Sequence, residues 1–116
     1  MDKQHRGGDP LFRAILRLES LDECRAFFDD LCTIRELQEL TRRFAVAAML
    51  DEKKNYQEIS KATGASTATI SRVNRCLVYG SGGYRAALDK AEKESRIASN
   101  ESPADEKATK KPDSEP

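Results

Sequence analysis

Residues 55–74 read NYQEISKATGASTATISRVN, a run of short hydroxyl side chains gathered around one glycine, Gly64. Ser66, Thr67, Thr69 and Ser71 could in principle be nucleophiles, but nothing stands near to activate them. The chain has a single histidine, His5, in the polar opening MDKQHRGGDP. Asp29 and Asp30 have no acid or base partner in the pattern. The glycine-rich GSGG at 80–83 lacks the following Lys-Ser/Thr and the preceding strand of a phosphate loop, so it reads as a turn. Cys24, Cys32 and Cys76 are odd in number and carry no CxxC spacing. They read as reduced thiols packed as small apolar groups. No enzyme chemistry, metal or cofactor is expected. What short hydroxyls and methyls can do is approach base edges closely: Thr and Ala methyls suit the thymine methyl, and hydroxyls serve several bases.

That chemistry requires the side chains to stand on one outer face, and the surrounding residues supply the means. Asn55 can cap a helix running from Tyr56 to about Thr63, with Glu58 as its box partner. Gly64 ends it, since a tight corner calls for a residue at positive φ. Ser66 or Thr67 caps a second helix that runs to about Leu77. Two short helices joined by a glycine turn make a helix-turn-helix, here about 56–77. The motif needs Ile59 beneath it, a small Ser60 where the helices cross, and Ile70 and Val73 facing inward. Thr67, Ala68 and Ser71 then point outward at the start of the second helix, where such motifs read bases, and Gln57 can reach a base as well. Tyr56, Lys61, Ser66, Thr69 and Arg75 are placed for phosphate, helped by the amides at Ser66 to Ala68. An ordinary αα corner in a bundle would carry the same glycine, and a solvated face would carry the same polar residues.

The rest of the chain reads as scaffold. With 116 residues, 38% of them apolar, one domain is expected, and its core is thin for a single copy. Aromatics at 6% argue against a β-sandwich or barrel. Residues 1–8 read as a flexible arm, 9–96 as the helical domain and 97–116 as a disordered tail holding three of the four prolines. Asp9 and Pro10 open a helix, Asp9 as its cap. Ser20 with Glu23, and Thr33 with Glu36, are capping boxes for two more. The longest helix, about 34–51, carries an apolar stripe of Ile34, Leu37, Leu40, Phe44, Ala47, Ala48 and Leu50. YGSGGY at 79–84 is a turn, and the last helix after it is poor in large apolar residues. The formal net charge is zero, but residues 56–96 hold 7 basic and 4 acidic groups while 97–116 hold 3 and 5. The basic excess therefore sits in and after the quoted stretch. No apolar run approaches the roughly 20 residues of a membrane span, and the polar start does not resemble a signal peptide, so a cytoplasmic address with no membrane partner is expected.

LCTIRELQELTRRFAVAAML followed by YQEISKATGASTATISRVNRCL resembles the Trp repressor superfamily, and YGSGGYRAAL at 79–88 is similar to its YerC/YecD branch. The resemblance covers about residues 9–92. It implies an all-α, six-helix protomer in an intertwined homodimer, with helix-turn-helix heads that bind double-stranded DNA and regulate transcription. It also implies a ligand pocket at Thr33, Arg43, Arg72 and Val73. In the Trp repressor a glycine follows the arginine matched by Arg72, where the indole lies; here Val73 follows. Its branched side chain would cost an inserted indole about 1–3 kcal/mol, roughly 10- to 100-fold in affinity. Tryptophan is therefore not expected as corepressor, and the effector, if there is one, is unknown. The alternative is a helical dimerisation or adaptor module that packs its helix-turn-helix on protein.

Overall fold

The computed structural model describes residues 7–99. Six helices follow one another: α1 (Asp9–Leu16), α2 (Leu21–Leu31), α3 (Ile34–Asp51), α4 (Tyr56–Thr63), α5 (Thr67–Tyr79) and α6 (Gly83–Ser99). Among the described residues there is no strand. Residues 1–6 and 100–116, where most of the expected arm and tail fall, lie outside the described residues. Ile97 to Ser99, assigned to the tail by composition, instead continue α6. The Arg96–Glu92 ion pair and the Ser99 hydroxyl donating to the Arg96 carbonyl are local bonds within that last stretch.

Local chemistry explains most of the helix ends. Thr33 Oγ1 accepts from the Glu36 amide at 3.0 Å and Glu36 Oε1 accepts from the Thr33 amide at 2.9 Å, a complete capping box for α3. Ser20 caps α2 through the Glu23 amide at 3.0 Å, but the Glu23 carboxylate takes the Glu19 amide at 2.6 Å instead of that of Ser20. At α1 the helix starts one residue earlier than its acid suggested. The Gly8 carbonyl already accepts from the Phe12 amide, so Gly8 is the cap and Asp9 is helical. Asp9 then acts through its charge at the positive end of the helix. α3 ends without a glycine: Lys53 takes φ 69° and the Lys54 amide turns back to the Met49 carbonyl.

The chain divides into two compact units within α5, between Arg75 and Cys76. In the first, α3 packs against α2 and α4. Its core is Val46 and Ala47 from α3, Ile59 from α4, Ala65 from the turn, and Ile70 and Val73 from α5, none more than 2% exposed. The expected stripe on α3 is only partly covered. Val46, which the stripe omitted, is fully buried, while Ile34 is 79% exposed and Leu40 and Phe44 are each 43% exposed. The apolar face of α3 is thus wider than the described residues cover. In the second unit α5 continues two residues past its expected end and closes at Gly80, whose amide donates to the Cys76 carbonyl. A Cβ at Gly80 would lie 2.3 Å from that oxygen, so the closure requires glycine. Leu88 is the buried residue of α6. No described helix is long and apolar enough to cross a membrane.

Candidate nucleic-acid interface

α4 is framed by its chemistry at both ends. Asn55 Oδ1 accepts from the Glu58 amide at 2.8 Å, and Glu58 Oε1 accepts from the Asn55 amide at 2.9 Å. At the far end Gly64 sits at φ 78°, and its amide donates to the Ser60 carbonyl at 2.8 Å. That left-handed corner turns the chain sharply enough to begin α5 three residues later. The turn is then tied down by hydroxyls. Ser60 Oγ donates to the Ala65 carbonyl at 2.9 Å, Thr63 Oγ1 donates to the Ile59 carbonyl at 2.7 Å, and the Ala65 amide donates to Thr63 Oγ1 at 3.1 Å. Ser60 is small for a further reason than helix crossing: its hydroxyl reaches the turn itself. Ser66, one of the two expected caps, closes the start of α5 by accepting from the Thr69 amide at 3.1 Å.

With Ile70 and Val73 buried, helical periodicity dictates what faces out. Thr67, Ala68, Ser71, Arg72 and Arg75 are all exposed, and Thr69 is half-buried. Two surface depressions hold most of the residues singled out from the sequence, Ser66 excepted. Tyr56, Gln57, Ser60, Lys61 and Thr67 line the first, bringing α4 and α5 together. Ala68, Thr69, Ser71, Arg72 and Arg75 line the second. Residues 56–75 carry Lys61, Arg72 and Arg75 against one acid, Glu58. None of these three cations is ion-paired among the described residues. The face is therefore cationic and unneutralised, with short side chains between the charges. Such a face can approach a polyanion closely.

The four residues of the implied ligand pocket have different surroundings in this chain. Thr33 caps α3 and borders a cleft of about 670 Å³ with Asp29, Cys32, Leu37, Arg42 and Thr63. Arg43 pairs with Glu39 of its own helix at 3.5 Å. Arg72 lies in the depression on α5, and Val73 is in the core. Sequence reading missed Arg42. Its Nε donates to the Thr63 carbonyl at 3.2 Å across 21 residues of chain. Only the placement of α3 beside α4 could reveal that bond, since nothing in the local pattern sets Arg42 apart from Arg43.

A family model described as the Trp repressor protein matches residues 7–92. The uncharacterized protein YerC of Bacillus subtilis (strain 168) is 58% identical over 82 residues, 71% of this chain and 79% of YerC. Two crystal structures share the fold. A TrpR-like protein from Eubacterium eligens ATCC 27750 superposes with a TM-score of 0.72 at 50% identity, covering 75% of this chain and 90% of its own. A candidate Trp repressor from Staphylococcus aureus gives 0.74 at 45% identity, covering 78% and 96%. The helix order, the glycine corner and these likenesses converge, and the chain belongs to the Trp repressor family, in its YerC branch.

Proposed function

We propose that this chain is a sequence-specific DNA-binding transcriptional regulator. It reads the major groove with the start of α5, and it acts as a homodimer without tryptophan as corepressor. The observation that carries the reading is the split of α5. Ile70 and Val73 are at most 2% exposed, while Thr67, Ala68 and Ser71 stand on the outer face. Thr67, Ala68, Ser71 and Gln57 face the bases; Tyr56, Lys61, Ser66, Thr69 and Arg75 hold the phosphates. Because Ser66 Oγ already takes the Thr69 amide, the amides of Thr67 and Ala68 are left for a phosphate at the positive end of the helix. Membership in the family, and likeness to a protein described as a candidate Trp repressor, support the same reading.

Dimerisation rests on uncovered apolar surface in the first unit. Leu16 is 83%, Leu21 64% and Ile34 79% exposed, and burying such side chains against a second copy is worth about 1.5–3 kcal/mol each. A two-fold dimer reads a palindromic site with half-sites about 34–36 Å apart. The absence of tryptophan dependence rests on Val73, which already fills its own space at 2% exposure. The test is selection of bound sequences from a random duplex library, repeated with the Thr67→Val, Ser71→Ala double variant. The selected site is expected to be palindromic and to lose preference at the contacted positions, by about 1–3 kcal/mol per lost base contact. An unchanged preference in the double variant refutes the reading face.

A further inference from the structure

We propose that Arg42 is the positioning residue of the helix-turn-helix, a clamp from α3 that fixes the angle at which the motif is presented. This rests on the DNA-binding reading for its consequence, though not for its geometry. The buried side chains Ile59 and Ile70 anchor the motif, but apolar burial is non-directional and leaves rotation about the anchor weakly specified. The polar bonds of the turn, made by Ser60, Thr63 and Ala65, are internal to the motif and hold its shape without holding its orientation.

A side-chain hydrogen bond reaches the motif from α3. Arg42 Nε donates to the carbonyl of Thr63, the last residue of α4, at 3.2 Å. That carbonyl is one of those a helix end leaves without an internal partner, and it lies at the negative end of the helix, so a cation suits it. The guanidinium is itself held: Nη1 bonds Glu39 Oε1 at 3.0 Å, and the other carboxylate oxygen faces Arg43 Nε at 3.5 Å. Glu39 thus fixes the planar fork from behind, and Arg42 transmits that fixity to the corner before the reading helix. The Arg42 side chain is 40% exposed, so its head group lies at the rim of the core. Losing the guanidinium there opens no cavity, and Met preserves the aliphatic stem.

A basic residue beside a DNA-binding motif could equally touch phosphate, and the test separates the two roles. Arg42→Met is compared with the wild-type protein by amide hydrogen exchange, thermal unfolding, and affinity for a selected duplex across salt concentrations. The clamp requires exchange at residues 63–67 to quicken about tenfold, with the melting temperature lowered by no more than that one bond accounts for, about 10 °C. Specific affinity should weaken about tenfold, as for a lost hydrogen bond to a charged group, with the salt dependence unaltered. Arg42→Lys should recover part of the loss, since an ammonium can donate to Thr63 but cannot keep the fork. Glu39→Ala should mimic Arg42→Met and add nothing to it, because it acts through the same group. Unchanged exchange at the corner overturns the clamp. So does a fall of about 1.8 in the salt slope, about 0.9 from each head of the dimer, which makes Arg42 a phosphate contact. A fall in melting temperature larger than that one bond accounts for, in both Arg42→Met and Glu39→Ala, also overturns it. If the wild-type protein binds no duplex, the DNA-binding reading fails, and the exchange comparison alone decides the clamp.

Discussion

Gly64 offers the sharpest test of how this motif is made. Its φ of 78° lies in the left-handed region, yet a Cβ built there would meet nothing within 4 Å. The need for glycine is therefore conformational and has nothing to do with crowding. Forcing an L-residue into that region costs about 1–2 kcal/mol. Ala also restricts the unfolded chain, which returns about 0.4–1 kcal/mol. The net destabilisation of Gly64→Ala is then about 1 kcal/mol, a fall of about 4–8 °C in melting temperature for a domain of this size. Asn tolerates the left-handed region better than Ala, so Gly64→Asn should lose only about half as much. The ordering is the diagnostic, because Asn is the larger residue. Thermal unfolding followed by circular dichroism, at one fixed protein concentration to hold any association constant, reads it directly. If Asn proves worse than Ala, the corner is crowded by something outside this protomer. If Ala is harmless, the corner is not left-handed in solution.

Other outcomes follow from the same geometry. Asn55→Ala removes the 2.8 Å bond to the Glu58 amide and should cost about 1 kcal/mol, visible in the same melt; no change would mean that the cap is idle. Lys53→Gly should raise the melting temperature, since Lys53 holds φ 69° at the end of α3 and relieving that strain is worth about 1 kcal/mol. Calorimetry with L-tryptophan should give no micromolar binding heat, and such a heat would overturn the argument from Val73.

The motif was legible because its signals are local. Asn55 with Glu58, Gly64 at the corner, and Ser60, Ile70 and Val73 by spacing are all decided within a turn or two of helix, where side-chain chemistry and backbone geometry coincide. Asp9 misled because the cap is set by which carbonyl first accepts a helical amide, and Gly8 gets there first. Val46 and Ile34 misled for a different reason. Periodicity says which side of α3 is apolar, but which part of that side this chain covers depends on where α2 and α4 land. The Arg42–Thr63 bond joins residues 21 apart and depends on that same placement, so it had no sequence signal. Ile97 to Ser99 read as tail because composition averages over a window and cannot see a helix running on by one turn.

The formal net charge of the whole chain is zero, so the proposed affinity for DNA depends on where a few charges are placed and on how many heads act together. One head offers Lys61, Arg72 and Arg75. If each neutralises one phosphate, the slope of log affinity against log salt is about −2.7 for one head and about −5.4 for two. Between about 50 and 200 mM salt, one head loses roughly 40-fold and a pair loses roughly three orders of magnitude. The measured slope therefore counts heads, independently of any sizing experiment. A steep slope that halves when the palindrome is cut to one half-site means that two copies bind together, each through this weakly basic face. A shallow slope on the intact palindrome means that three cations suffice or that the face is not the one used. Arg75→Ala decides between those two. It should reduce a shallow slope by about 0.9 and a steep one by about 1.8, one phosphate from each head, and a slope indifferent to Arg75 would remove that residue from the interface.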